Sequence, residues 1–277
     1  MSTERLFPVG ARPPVAAYVA ELWDRRHFLW AEARAKVASG TRETLLGQAW
    51  LIVNPILNGL AFYVIFGVVL EARAGIENFV GYLIIGVFLF QFTTTCVTGA
   101  ARSVAGGRNL VRAFSFPRAA LPVSVVLRGV LTLVPTLAAM FLLLLVLPEA
   151  EDWSPAAALF PAVLVLQVVF VTGLSLLLAR VAAALPDLNQ LIGVLMRFWL
   201  YGSAVFFSID RFESYPQVVG VMQANPMFLV IDAARDTLLY GVVPGLSTWL
   251  GLGAWAVGTL VVGFLVFWQA EDSYGRV

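Results

Sequence analysis

Cysteine, histidine and lysine are nearly missing from this chain of 277 residues, in which Cys96, His27 and Lys36 are the only examples. A lone cysteine excludes an intramolecular disulfide and a cysteine-rich metal site. A lone histidine excludes a histidine cluster that would hold zinc or iron. We therefore expect no metal and no resident cofactor in this chain.

Charged residues are also scarce. They make up 13% of the chain, against 60% hydrophobic residues, and the net charge is only +1. The mean hydropathy of +0.86 is typical of a protein that crosses a membrane several times. With so little net charge, we expect no nucleic-acid partner.

Apolar runs dominate the chain instead. Six of them are long enough, at about 1.5 Å per residue, to cross a hydrocarbon core about 30 Å thick. No repeat or linker separates them, so the sequence predicts an all-α integral membrane protein with a single membrane domain, residues 1–277. The six predicted transmembrane helices are residues 50–70, 79–101, 121–147, 156–185, 188–209 and 245–268.

The segment 1–49, before the first span, carries seven basic residues. After Pro13-Pro14 its apolar residues recur near helical spacing, and Trp23 and Trp30 suit the headgroup region. We interpret this segment as an N-terminal amphipathic helix on the cytoplasmic membrane surface. A solvated helix of a small soluble domain is the alternative.

The connections between spans predict the topology. Residues 102–118 hold four arginines and no acidic residue, whereas residues 149–152 hold three acidic residues and no base. The positive-inside rule therefore places both chain ends in the cytoplasm. Residues 210–244 form the longest external connection, with two apolar stretches that are too short to cross a bilayer on either side of Asn225-Pro226. We predict two external half-helices here, re-entrant or interfacial, before the last span.

Acidic residues are absent from all six predicted spans. Proton- and sodium-coupled transporters usually place a carboxylate there, and a membrane glycosyltransferase or hydrolase needs paired carboxylates or a nucleophile with its base. A P-loop is absent too, because Lys36 lacks the glycine frame that surrounds nucleotide phosphates and Gly106-Gly107-Arg108 fits a turn. We predict no catalytic residue and no nucleotide site, so any uphill transport must draw its energy from another chain.

Several motifs in order resemble one family. Leu46-Gly47-x-x-Trp50-x-x-x-x-Pro55 is similar to the start of the first span in type-2 ABC exporter permeases. The branch it resembles most exports lipid-linked polysaccharides: O-antigens, teichoic acids and galactan. At Ala204 that family usually has proline. The other matching motifs are Asn109-Leu110-Val111, Phe116-Pro117-Arg118 with Leu121-Pro122, Ser203-Ala204-Val205-Phe206-Phe207, and Asn225-Pro226-Met227 with Arg235.

The resemblance implies a permease that moves lipid-linked polysaccharide from the cytoplasm across the inner membrane. It implies a homodimer bound to two copies of a cytoplasmic ABC ATPase subunit, which would hold the ATP and magnesium. A type-2 exporter of drugs or small lipids is the alternative within transport. A membrane enzyme acting on polyprenyl-linked substrates is the alternative from another class.

The resemblance also implies a channel lined by the first, second and fifth spans. In the first two, amides and hydroxyls recur three or four residues apart, so they share helix faces and suit sugar hydroxyls. Hydrogen bonds between helices or an interfacial aromatic belt would also account for these side chains. The predicted lining residues are Asn54, Asn58, Phe62, Phe66, Gln91, Thr95, Thr98, Arg197 and Tyr201.

Three more groups of residues have predicted roles. The 102–118 loop is expected to insert into the ATPase, whereas bases near the surface helix would meet a lipid diphosphate or only fix topology. Arg102, at the end of the second-span stripe, could also meet a diphosphate. Arg128 should face protein or snorkel, and has no assigned role. The groups are Arg102, Gly106, Gly107, Arg108 and Arg112 for coupling, Arg34, Lys36 and Arg42 for the diphosphate, and Asn225, Pro226 and Arg235 for an external gate.

Overall fold

The computed structural model describes residues 13–39, 47–65, 76, 78–107, 117–146, 154–185, 187–212 and 214–271. Every regular element within these ranges is helical. Of the predicted site residues, Arg42, Phe66, Arg108 and Arg112 lie outside the described residues, as does the side chain of Phe62.

Ten α-helices make up the described part of the chain, with short 3₁₀ turns at Gly47–Ala49, Pro155–Leu159 and Ile209–Phe212. The helices are α1 (Val15–Asp24), α2 (Arg26–Ser39), α3 (Trp50–Phe62), α4 (Phe79–Gly106), α5 (Ala120–Val146), α6 (Phe160–Ala184), α7 (Leu188–Gly202), α8 (Pro216–Gln223), α9 (Pro226–Leu238) and α10 (Leu246–Gln269).

Four of the six predicted spans are confirmed as helices long and apolar enough to cross a membrane: α4, α5, α6 with its 3₁₀ lead-in, and α10. The first predicted span is described as a helix over the 13 residues of α3, followed by a π turn at residues 63–65. The fifth was predicted to run to Ile209, and this is wrong, because α7 ends at Gly202 after 15 residues. Ala204 then takes the left-handed conformation, with a φ of 51°, which no helix continues.

Helix α4 is the centre of the bundle. In its most apolar stretch 83% of the residues are buried, against 22% for α10 at the periphery. It packs against α5, α6, α7 and α9. Helix α10 instead packs mainly on α6, where a Cβ on Gly173 or Gly263 would collide with the backbone of the opposite helix. Such small residues allow membrane helices to approach closely.

The two ends of the bundle have separate apolar clusters. At one end, which we call the basal end, Tyr18 of α1 packs with Val104, Ala119 and Phe267. At the other, the distal end, residues following α7 pack with Met222 and Phe228 of the two half-length helices. Helix α1, the end of α4, the residue before α5 and the end of α10 therefore share the basal end.

Helices α1 and α2 bury one face and leave a second apolar row exposed. Tyr18, Leu29 and Ala33 are buried, and α2 packs on α5. Val19 and Trp23, four residues apart, are exposed, and the Arg26 guanidinium lies 5.0 Å from the Trp23 ring centroid. Exposed apolar and aromatic side chains with an adjacent arginine are what a membrane-surface helix presents. The surface location stays a prediction that this pattern favours.

Candidate functional site

A cleft of about 100 Å³ opens between α3, α4 and α5. Each of the three helices contributes a pair of polar side chains four residues apart, so each pair lies on one helix face. The rest of the lining is apolar and includes two aromatic rings. The polar residues are Asn54, Asn58, Gln91, Thr95, Thr132 and Thr136, and the apolar residues are Pro55, Phe88, Phe92, Gly129 and Leu133.

Four predicted lining residues meet in this cleft: Asn54, Asn58, Gln91 and Thr95. Thr98, one turn further along α4, does not line it; its hydroxyl donates to the Thr94 carbonyl at 2.7 Å. The structure therefore brings the polar faces of the first and second predicted spans together within a single chain.

Thr132 and Thr136 were missed in the sequence. Their spacing of four on a largely apolar helix was the available signal, but isolated threonines are common in membrane helices. Each hydroxyl donates within α5, Thr132 to the Gly129 carbonyl at 2.9 Å and Thr136 to the Thr132 carbonyl at 2.8 Å. Their oxygens can still accept hydrogen bonds from a ligand.

The side chains that line the cleft suit reversible, noncovalent binding. The amides of Asn54, Asn58 and Gln91 can both donate and accept hydrogen bonds, and Phe88 and Phe92 offer apolar surface. Among the described residues that line the cleft there is no carboxylate, imidazole or thiol. A ligand rich in hydroxyl groups, with an apolar face, fits this lining.

The orientation of α4 is fixed from its opposite side by Gln167 of α6. The Gln167 amide nitrogen donates to the Leu89 carbonyl at 2.8 Å and to the Thr93 hydroxyl at 3.1 Å, and Gln167 and Thr93 are both fully buried. Thr93 is two residues from both Gln91 and Thr95, which is about 200° around a helix. Holding Thr93 in the core therefore turns Gln91 and Thr95 toward the cleft.

At the distal end, Asn225 joins α7 to α9. Its side-chain oxygen accepts from the Met227 amide at 3.0 Å and from the Trp199 indole at 2.8 Å. Its nitrogen donates at 3.0 Å to both the Gly202 carbonyl and the Ser203 hydroxyl. Pro226 occupies the first position of α9, where its missing N–H is not needed.

Arg235 of α9 is completely enclosed, with a relative exposure of 1%. Its guanidinium donates to the carbonyls of Tyr82 at 3.0 and 3.1 Å, Ala204 at 3.1 Å and Val205 at 3.2 Å. It also lies 3.1 Å from the Tyr82 ring centroid, within cation–π range. Burial lowers the pKa of Arg235 to about 10, so it is still charged at neutral pH. Arg235 therefore fastens α9 to α4 and to the chain after α7.

The same contacts explain the strained backbone at Ala204. A proline, whose φ is fixed near about −65°, could not adopt the φ of 51° seen at this position. The Ala204 carbonyl accepts from Arg235 and, at 3.0 Å, from the Tyr82 hydroxyl. These two donors hold a conformation that costs about 1–2 kcal/mol for a residue with a Cβ.

Comparison with known proteins gives the family. Residues 29–239 match the sequence profile described as ABC-2 type transporter. The chain belongs to the ABC-2 type transporter family. It is 24% identical over 258 residues to the "O-antigen export system permease protein RfbA" of Myxococcus xanthus, covering 93% of this chain and 98% of that protein. It is 23% identical over 202 residues to a protein of the same name from Klebsiella pneumoniae, covering 73% and 76% of the two chains.

This membership confirms the resemblance inferred from the motifs. The chain is therefore the membrane permease part of a transporter, in a family whose permeases pair with ABC ATPase subunits. The remaining predicted residues that the structure describes lie outside the cleft.

Arg197 and Tyr201 of α7 do not reach the cleft. Helix α7 packs against α4 and α6, and Tyr201 is 60% exposed, with its ring 5.5 Å from that of Phe206. Within one chain, the structure thus separates these two residues from the other predicted lining residues of this permease.

The predicted coupling and diphosphate residues that the structure describes lie near the end of α4 or on α2. Helix α4 continues through Arg102 to Gly106, so the loop predicted from Arg102 begins about one turn later, at Gly107. Gly107 follows as the C-cap residue, with a φ of −91°, and its amide donates to the Ser103 carbonyl. Arg34 and Lys36 are exposed on α2, with the Lys36 ammonium 2.7 Å from the Glu32 carboxylate.

A buried junction that the sequence did not reveal ties the basal elements of the permease together. The Tyr18 hydroxyl donates to the Glu271 carboxylate at 2.7 Å and accepts from the Ala119 amide at 3.0 Å. The other Glu271 oxygen accepts from the Arg118 amide at 3.0 Å, and the Arg118 guanidinium lies 3.7 Å away. One carboxylate therefore links α1, the start of α5 and the end of α10.

Proposed function

We propose that this chain is the transmembrane permease subunit of an ATP-driven exporter that moves lipid-linked polysaccharide across the inner membrane. Family membership supports transport, and the names of the relatives support a polysaccharide as cargo. The observation that carries the proposal is the cleft, whose lining combines amides and hydroxyls with two phenyl rings. Sugars combine hydroxyl groups with apolar C–H faces, so they match both parts of this lining.

The cleft suits a polymer that must keep moving. Scattered hydrogen-bonding groups hold each sugar weakly, and strong sites would stall the chain as they stall an ion in a pore. The volume of about 100 Å³ is below the range of about 300–1,000 Å³ for ordinary ligand pockets. A polymer needs a wider path, so we propose that two copies of the permease form a continuous channel, each contributing one cleft. Arg197 and Tyr201, exposed on α7, would line that channel from the second copy.

The proposed topology follows the two ends of the bundle. All six predicted spans belong to one domain, with α3 and α7 as shorter parts of the first and fifth. The basal end holds Val104 and Ala119, which flank the arginine-rich connection, and this supports a cytoplasmic location for it. The distal half-helices α8 and α9 would then close the outer mouth, with Asn225, Pro226 and Arg235 fixing them as the external gate.

Energy would come from two ATPase subunits, which hold the ATP and magnesium. The segment from Arg102 to Arg112 is proposed to contact them at the basal end. The bases at Arg34, Lys36 and Arg42 would attract the diphosphate of the lipid carrier.

Export of small lipids or drugs is the second candidate function. The small volume of the cleft and the two phenyl rings in its lining favour it. The two candidates differ in which compound stimulates ATP hydrolysis by the reconstituted complex. A lipid-linked polysaccharide should do so, and a simple phospholipid or an amphipathic drug should not.

Cysteine labelling during ATP hydrolysis tests the cleft as the pathway. In a Cys96→Ala background, we expect Asn58→Cys, Thr95→Cys and Thr132→Cys to react with a water-soluble thiol reagent. Val97→Cys is the matched control on α4, because Val97 has an exposure of 0%. Equal labelling of Thr95→Cys and Val97→Cys, or no labelling of either, would refute the cleft as part of the pathway.

A further inference from the structure

Arg128 is a charged residue well inside a membrane helix. It lies eight residues after Ala120, the first residue of α5, which is one of the four apolar helices long enough to span. That distance is about 12 Å at 1.5 Å per residue. A charge at such a depth is costly and normally has a partner or a functional role.

The position of Arg128 relates it to the cleft. Thr132 and Thr136 follow it at intervals of four on the same face of α5, and both line the cleft. A Cβ built on Gly99 of α4 would lie 3.9 Å from an Arg128 guanidinium nitrogen. Gly99 is four residues after Thr95, another lining residue. The guanidinium therefore lies just beyond the basal end of the cleft, beside a glycine that leaves room for it.

A second arginine continues the same row. Arg102 is exposed and follows Gly99 by three residues, so it lies on the same face of α4, one turn nearer the basal end. From the distal to the basal end, the polar lining thus passes from amides and hydroxyls to two guanidinium groups.

Neither arginine has a counter-charge in the part of the chain that the structure describes. The ion pairs found there join Arg25 to Glu21, Lys36 to Glu32, and Arg118 to Glu271. Arg235, the other arginine inside the bundle, differs from Arg128 and Arg102 because its guanidinium donates to three backbone carbonyls. No hydrogen bond from the Arg128 guanidinium occurs among the described residues, in contrast to Arg235.

We propose that Arg128 and Arg102 bind the phosphate of a lipid headgroup at the basal mouth of the cleft. Guanidinium groups bind phosphate oxygens through paired, charge-assisted hydrogen bonds. A phosphate held there would place an attached sugar toward Thr95 and Thr132, in the cleft. The proposal rests on the proposed function, since it assigns the two ends of a lipid-linked sugar to two parts of one site.

The test is binding to the permease in nanodiscs of phosphatidylcholine. The probes are a polyprenyl diphosphate, the matching polyprenyl alcohol and phosphatidylglycerol. Arg128→Gln and Arg102→Gln should each weaken binding of the diphosphate about tenfold, which corresponds to about 1.4 kcal/mol. Binding of the alcohol should not change. Arg128→Lys should keep part of the affinity, because an ammonium retains the charge without the fork geometry.

Arg211→Gln is the matched control, because Arg211 is exposed at the distal end, in the turn after α7. It should bind the diphosphate like the wild type. Unchanged diphosphate affinity in both Arg128→Gln and Arg102→Gln overturns the proposal, and Arg102→Gln decides it if Arg128→Gln fails to fold. Parallel loss of phosphatidylglycerol binding supports the site and identifies ordinary membrane lipid as one source of the phosphate.

The two proposals fail in different ways. If the arginine variants lose diphosphate binding but lipid-linked polysaccharide never stimulates ATP hydrolysis by the wild-type complex, the phosphate site stands and polysaccharide export fails. If the wild type exports polysaccharide and both variants bind and export normally, export stands and the phosphate site fails.

Discussion

The basal junction offers a prediction whose size can be worked out from the structure. Tyr18 is 1% exposed and Glu271 is 6% exposed, so water cannot replace a contact that is removed. Tyr18→Phe deletes the hydroxyl that donates to the Glu271 carboxylate and accepts from the Ala119 amide. A hydrogen bond to a charged group contributes about 1.5–3 kcal/mol, and an unsatisfied buried donor costs about 1–3 kcal/mol. The two effects overlap, so we expect a loss of about 2–3 kcal/mol in the free energy of unfolding.

Glu271→Gln should cost a similar amount, because it removes the charge facing Arg118 and weakens the contact with Tyr18. The two changes act on one contact, so the double variant should lose less than the sum of the single losses by about 1 kcal/mol. Denaturant unfolding of the purified permease in detergent measures all three variants. The α4–α5 connection is proposed to contact the ATPase, so that proposal predicts a higher ratio of ATP hydrolysed to substrate exported in each variant.

Glu32→Gln is the matched control for this prediction. Glu32 pairs with Lys36 on the surface of α2, where Lys36 is half exposed. Exposed pairs spaced four residues apart contribute about 0.3–0.5 kcal/mol. If Tyr18→Phe destabilises the protein no more than Glu32→Gln, or if the Tyr18 and Glu271 losses add in full, the argument for a shared buried junction is refuted.

Three further predictions concern the distal end and the central helix. Arg235→Lys should lower the free energy of unfolding by about 2 kcal/mol or more, because an ammonium cannot reach all the carbonyls that the guanidinium binds. Ala204→Gly should raise the free energy of unfolding by about 1 kcal/mol, because it removes left-handed strain. Thermal unfolding of the two variants measures these opposite shifts. Gln167→Leu leaves the identity of every cleft residue unchanged but should reduce export, as measured by transport assays with intact membranes. Export at the wild-type rate in this variant would contradict the role of Gln167 in orienting α4. Burial, and then the nearby Asp232 carboxylate, raise the pKa of Asp236 to about 6. The folded protein therefore holds this proton more tightly than the unfolded chain, and its contribution to stability is present below pH 4 and lost as the pH rises to about 6. Amide exchange in α9, corrected for intrinsic rates, should be slower at pH 4.5 than at pH 7. Asp236→Asn should reduce the difference, and the remainder belongs to Asp232, whose pKa burial also raises.

Much of the fold was predictable because membrane spans are set by composition over about 20 residues. The four long helices agree with their predicted bounds to within a few residues at either end, and Asn225-Pro226 does separate two short helices. The error after Gly202 has a physical cause. The sequence there, Ala204-Val205-Phe206-Phe207, stays apolar, and the break is imposed by Arg235 and Tyr82 from other helices. Contacts of such long range leave no local signal.

Some residues of the candidate site were also predictable from the sequence, and others were not. Asn54 with Asn58 and Gln91 with Thr95 were predictable, because polar pairs at a spacing of four stand out on apolar helices. That α5 would supply the third face depends on how the helices pack, which no single helix specifies. Glu271 lies only two residues beyond the last span, where a carboxylate is expected to be solvated. Its burial could be recognised only after Tyr18 and Arg118 were seen beside it.

Reconstitution tests the central claim most directly. The permease is purified with its ATPase subunit, placed in vesicles, and supplied with a lipid-linked polysaccharide on the side where ATP is added. Polysaccharide should become inaccessible to a glycosidase outside the vesicles only with ATP, and Asn58→Trp, which fills the cleft, should prevent this while ATP binding persists. Polysaccharide that stays fully accessible to the glycosidase in an ATP-hydrolysing wild-type complex would contradict the account.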